Sequence, residues 1–182
     1  MLFLFCLLFV VSIMFDMNFK DIFEHQKQLD ILFTNSMKQR HQEINSKKIS
    51  MQKVMALIIE IGEFANEIES FKYWKVNKKN NIEKMKEEYV DAIHFLSSLA
   101  NEHNLDYILE AKFVESKNLD DQFLKTFYLA TKFGYSKKTE DLKDLFEHFL
   151  AFIFLLNFTF EEVKSAYLQK AKINLQRINS NY

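Results

Sequence analysis

No proline occurs anywhere in the 182 residues, and only two glycines do, Gly62 and Gly134. A chain that turns a corner every few residues needs both. Proline presets φ at the entry of a turn, and glycine takes the positive φ that tight hairpins demand. Ordinary usage would be roughly 7% glycine and 5% proline. A sandwich, a barrel or a doubly wound sheet is therefore excluded, and an all-α bundle of six or seven long helices is expected. Hydrophobic residues make up 48% of the chain and charged residues 27%, enough for one sizeable core and too apolar for wholesale disorder.

Net charge is −1, so no basic field exists to recruit nucleic acid. Of the 24 cationic residues only Arg40 and Arg177 are arginines. The single cysteine, Cys6, excludes an internal disulfide and a thiolate metal cluster, and is compatible with a cytoplasmic location. Residues 1–15, MLFLFCLLFVVSIMF, are apolar apart from Ser12. They are too short for a ~20-residue membrane span and lack the charged start and small-residue cleavage site of a signal peptide. We read residues 1–16 as an extension outside the fold, translated from a start codon placed too early. A short membrane anchor or an atypical signal are the alternatives. Residues 17–182 then form a single domain.

Helix signals divide that domain. Met17 opens an amphipathic segment expected to be helical from about Phe19 to Arg40. The next helix should start between Ser46 and Ser50 and reach about Tyr73, burying Val54, Ile58, Ile61, Ala65 and Ile68. Asn80 with Glu83 resembles a capping box for a third helix, whose buried face carries Met85, Tyr89, Ala92, Leu96 and Leu99. Asn118 followed by Asp120 and Asp121 reads as a cap with first-turn acids, and Gly134 as the terminating C′ residue. Thr139 to Asp141 open another helix, and Thr159 with Glu162 opens the last. Residues 149–156, FLAFIFLL, are apolar all round, so they are buried on several sides, with a second copy of the chain available to cover the outermost.

The acidic residues carry the candidate chemistry. Glu60 and Glu63 interrupt the apolar run ALIIEIGEFA beside the buried stripe, while Glu88 and Asp91 share one face of the next helix. A solvated acidic stripe is the plain alternative. Yet like charges beside a core repel one another and are costly to bury, and a hard divalent cation is the cheapest remedy. Mg²⁺ suits such a set, because it prefers oxygen ligands and is bound jointly by carboxylates and phosphates; Mn²⁺ could substitute. Two antiparallel helices would bring all four carboxylates around one cleft.

E-x-x-E (Glu60, Glu63) followed after 24 residues by E-x-x-D (Glu88, Asp91) resembles the metal signature of the all-α NTP pyrophosphatase superfamily. With FKYWK (71–75) and EEYVDAIHF (87–95), the chain resembles its dimeric dUTPase branch. AYLQKAKINLQRINSNY is similar to that family's K-x-x-x-N-x-x-R segment, here Lys170, Asn174 and Arg177, with Tyr182 in the place of a later tyrosine. The glycine that precedes this tyrosine in the family is absent. QKQLD resembles its first helix, with Gln26 as the matching glutamine.

The resemblance implies an intertwined homodimer and a Mg²⁺-dependent dUTP diphosphatase acting on dUTP, with dUDP as a possible second substrate. Glu60, Glu63, Glu88 and Asp91 would hold the metal, and Glu60 or Glu63 would orient or deprotonate the water that attacks the α-phosphorus. Lys72, Lys75, Lys170 and Arg177 would neutralise the triphosphate, Trp74 would pack on base or sugar, and Gln26, His94 and Asn174 would read the base. Each has a plainer role as a solvated lysine, a core anchor or a structural histidine. A MazG-like pyrophosphatase for another nucleotide shares the acidic motif, and a membrane-tethered helical interaction protein is the reading from another class.

Overall fold

The computed structural model describes residues 16–40 and 45–179. The apolar segment 1–15 and Tyr182, on which expectations were placed, lie outside the described residues. Among those residues the chain forms six helices: α1 (Lys20–Gln39), α2 (Ser46–Ile68), α3 (Ile82–Glu102), α4 (Leu119–Ser136), α5 (Thr139–Leu155) and α6 (Phe160–Asn179). The all-α expectation holds, with one addition. Two three-residue strands, β1 (Asp16–Asn18) and β2 (Ile108–Glu110), pair antiparallel with Met17 opposite Leu109. Strands this short show no period to read. Met17 lies within a strand rather than at the start of a helix, and Asp16, placed by the sequence in the extension, pairs with Glu110.

Local chemistry accounts for most helix ends. Thr159 and Glu162 form the expected capping box, Glu162 accepting from the Thr159 amide and hydroxyl while Thr159 Oγ1 accepts from the Glu162 amide. Asn118 Oδ1 accepts from the amides of Asp120 and Asp121. The third cap is Asn81, not Asn80: its Oδ1 accepts from the Lys84 amide at 3.1 Å. Gly134 does not end α4, which runs on to Ser136 and closes through Lys137 at φ 55°. The glycine instead permits close packing, since a Cβ there would sit 3.2 Å from Val54 Cγ1 on α2. Nor does α2 reach Tyr73. Glu69 adopts the left-handed conformation at φ 58° and terminates the helix at Ile68. No glycine announces that end.

Helix α3 lies at the centre, packed against α1, α2, α5 and α6. Its expected face is buried throughout, and so are Ile93, His94, Ser97 and Ser98. The core is aromatic. Phe64 meets the rings of Tyr89, Phe123, Phe149 and Phe152 at 5.3 to 5.8 Å in edge-on arrangements, and Tyr89 stacks on Phe149. Residues 149–153 are buried within one chain, while Phe154, Leu155 and Leu156 at the end of the apolar run remain partly exposed. No helix among the described residues is long and apolar enough to cross a membrane.

Candidate active site

Three helices built on different caps converge on a cavity of about 390 Å³, with α2 closing its side. Spacings of three and four place each contribution on one face. Helix α1 presents Gln26, Asp30 and Phe33; α3 presents Asp91, His94 and Ser98; α6 presents Lys170, Asn174 and Arg177; and α2 adds Lys53 and Glu60. Seven of the residues singled out in the sequence therefore line one cavity. A larger cavity of about 590 Å³, beside β1 and the start of α6, contains none of them and is flanked by the Lys164–Asp21 ion pair.

Glu60, Glu88 and Asp91 each offer a carboxylate oxygen within 4.8 Å of the others. Glu63 stands one turn along α2, exposed and outside this triad. The cost of the arrangement falls on Glu60. Burial first, then the charges of Asp91, Glu63 and Glu88, push its carboxyl up to about 7, with Lys170 partly opposing. Asp91 is raised as well, by burial, against the pull of Lys170. Lys170 Nζ donates to Asp91 Oδ2 at 2.6 Å and to Glu87 Oε1 at 3.1 Å. Glu88 pairs with Lys84 at 2.7 Å, one turn earlier on its own helix. The triad keeps more negative charge than its cations relieve.

The inner end of the cavity is a hydrogen-bonded wall. His94 Nδ1 lies 2.8 Å from Gln26 Oε1, and the Tyr167 hydroxyl donates to the same oxygen at 2.9 Å. Gln26 Nε2 donates to Asp30 Oδ1 at 2.9 Å, and Ser98 Oγ donates to Asp30 Oδ2 at 2.6 Å. The His94 ring stacks on Tyr167 with centroids 4.2 Å apart. Burial, and secondarily the Lys170 charge, lower the His94 pKa to about 3, so the ring is neutral. Its Nε2 is buried without a hydrogen-bond partner among the described residues.

A family model described as dUTPase matches residues 18–182. The chain belongs to the all-α dimeric dUTPase family. No curated protein matches it. This dUTPase is accordingly a nucleoside triphosphate pyrophosphohydrolase, a dUTP diphosphatase. The family is typically metal-dependent, and the triad of this dUTPase could hold a metal ion. The donor set fits such an ion. It offers three hard carboxylate oxygens, and the raised Glu60 carboxyl marks uncompensated negative charge that a divalent cation would relieve.

Other expected substrate contacts of the dUTPase stand elsewhere. Lys72 and Lys75 do not line the cavity: their ammonium groups reach Glu69 at 2.9 and 2.7 Å. Glu69 is 1% exposed, and it also accepts from the Lys79 amide, so the loop is folded around this carboxylate. Trp74 stands on the same loop, 63% exposed, edge-on to Tyr73 and Phe71. In the opposite direction, sequence reasoning passed over Asp30, Lys53, Ser98 and Tyr167. Asp30 follows Gln26 by four and Ser98 follows His94 by four, a helical neighbour signal that was available. Tyr167 precedes Lys170 by three on α6, so the same spacing was available there, but its hydrogen-bond partners lie some 140 residues away.

Proposed function

We propose that this dUTPase cleaves dUTP at the α-phosphorus with Mg²⁺ held by Glu60, Glu88 and Asp91, Glu63 completing the acid set, and that it works as a cytoplasmic homodimer from the single domain that begins at Met17. The observation that supports this most is the meeting of Glu60, Glu88 and Asp91, a carboxylate oxygen of each lying within 4.8 Å of the others. A divalent cation held there supplies Lewis acidity, polarising phosphate oxygens and acidifying water. Glu60 or Glu63, beside the ion, orients the attacking water or takes its proton. Lys170 exchanges its carboxylate partners for phosphate, and Arg177, two turns further along the same face of α6, adds a planar fork suited to paired phosphate oxygens. Gln26, His94 and Asn174 meet the base at the inner wall. Lys72 and Lys75 reach a phosphate only by giving up Glu69. Met51, Met55 and Ile59, spaced by four along the exposed side of α2, offer an apolar strip for a second copy.

The deciding experiment is hydrolysis of a panel of dNTPs, with dUDP alongside, with and without Mg²⁺, combined with sedimentation to read the oligomeric state. Mg²⁺-dependent release of pyrophosphate from dUTP ahead of the other nucleotides is the expected result. A preference for another base would replace the assignment with a different nucleotide of the wider pyrophosphatase superfamily.

A further inference from the structure

The polar wall is ordered by one rule: a carboxylate only accepts hydrogen bonds. Asp30 Oδ1, 2.9 Å from Gln26, therefore has the amide nitrogen facing it and turns the amide oxygen the other way. That oxygen can only accept, so the His94 nitrogen 2.8 Å from it, Nδ1, must carry the ring proton. Tyr167, donating to the same oxygen at 2.9 Å, is consistent with this orientation. The remaining ring nitrogen, Nε2, then presents a lone pair, and it is the atom left buried in the cavity wall without a partner among the described residues. Asp30 is itself held, by Ser98 Oγ at 2.6 Å and by Lys53, whose ammonium is 3.9 Å away.

We infer that Asp30 is a positioning residue for base selection, orienting Gln26 so that His94 offers Nε2 as an acceptor for the imide N3–H of uracil. The inference rests on the dUTP diphosphatase reading. Uracil presents a donor at N3 between two carbonyl acceptors, whereas cytosine presents a lone pair at the same position. Against an Nε2 lone pair, cytosine leaves two acceptors facing one another with neither satisfied, a buried polar mismatch that discriminates strongly. Asp30 touches no reacting atom in this account. It acts through Gln26 on the proton position of His94.

The test is Asp30→Asn, which keeps the shape but can donate as well as accept. The Gln26 amide is then free to turn over, the Tyr167 hydroxyl having the Ile22 carbonyl 3.3 Å away as its alternative acceptor. His94 would then shift its proton to Nε2. Nitrogen NMR of histidine-labelled protein, with His94→Gln to assign the signal, reads the tautomer directly. The wild-type protein is expected to show a protonated Nδ1 and the variant a protonated Nε2. In parallel, the ratio of kcat/KM for dUTP to that for dCTP should fall about tenfold or more, through KM for dUTP with its kcat nearly unchanged. Gln26→Leu, which removes the oxygen itself, should release the tautomer in the same way.

A wild-type His94 protonated on Nε2 would overturn the inference whatever the variants do. So would a shifted tautomer with an unchanged nucleotide ratio. If the wild-type chain shows the expected tautomer but hydrolyses no dUTP, the proposed function fails instead.

Discussion

Two glutamates nine residues apart on the same stretch of chain meet opposite fates. Glu60 is half-buried among other acids, and its carboxyl is pushed up to about 7. Glu69 is more deeply covered, yet Lys75, the Lys79 amide and Lys72 bring its carboxyl down to about 2. Burial alone does not decide what a charged group is for. What decides is whether the fold supplies its counter-charges. Around Glu69 it supplies them in full, and the result is a folded loop. Around Glu60 it withholds them, and the result is a group that gains when a cation arrives.

The largest separation of the two should come from paired amide substitutions. Glu60→Gln is expected to lower kcat for dUTP by about a hundred- to ten-thousandfold while the melting temperature holds or rises, because a strained charge has been removed. Glu69→Gln should do the reverse, lowering the melting temperature while kcat stays within a few-fold. A Glu69→Gln protein that melts normally would end the contrast.

Metal binding should divide the pair next. Mg²⁺ held at the triad would stabilise the fold by mass action, by about 2.7 kcal/mol at a hundred times its Kd. Thermal melts should show that gain in the wild type and in Glu69→Gln, and lose it in Glu60→Gln and Asp91→Asn. A full gain in both triad variants would place the ion elsewhere.

The pH dependence of stability should then run in opposite senses. Glu60 has a raised folded-state pKa, so metal-free protein binds that proton more tightly folded than unfolded. Its contribution is present below 4.5 and is lost as pH rises towards about 7. Glu69 has a depressed pKa, so its contribution is present above 4.5 and is lost as pH falls towards about 2. Denaturant titrations across pH 2 to 8, with each Gln variant flattening only its own window, would check the signs. The smallest effect is expected from Lys72→Met and Lys75→Met. Both ammonium groups are held by Glu69 outside the cavity, so kcat/KM should change by less than about fivefold, the melting temperature being the quantity that moves. A loss of orders of magnitude there would show that these lysines leave Glu69 to serve the substrate.

Much of this was legible in the sequence, for identifiable reasons. Helix positions followed from period and caps because those signals are local: Thr159 and Glu162 sit within one turn. The convergence of Gln26, His94, Lys170, Asn174 and Arg177 on one cavity was legible through the family resemblance, with which the one-face spacing of Lys170, Asn174 and Arg177 agrees. The ends of α2 and α4 were not, since Glu69 and Lys137 take positive φ without being glycine, and Gly134 was used for packing instead. The capture of Lys72 and Lys75 also escaped notice. It depends on a loop closing over one carboxylate, and no spacing rule encodes that.

The two short strands carry a consequence for the order of assembly. Met17 and Leu109 are about 90 positions apart, so their pairing closes a long stretch of chain whose entropic cost falls due before the contact yields anything. Helices α2 and α3, by contrast, are sequence neighbours and pack directly. The N-terminal ribbon, with α1 behind it, is therefore expected to dock late on a partly formed bundle. Since α1 brings Gln26 and Asp30, the cavity would then open with the ribbon, which amide hydrogen exchange faster in α1 than in α2 and α3 would show.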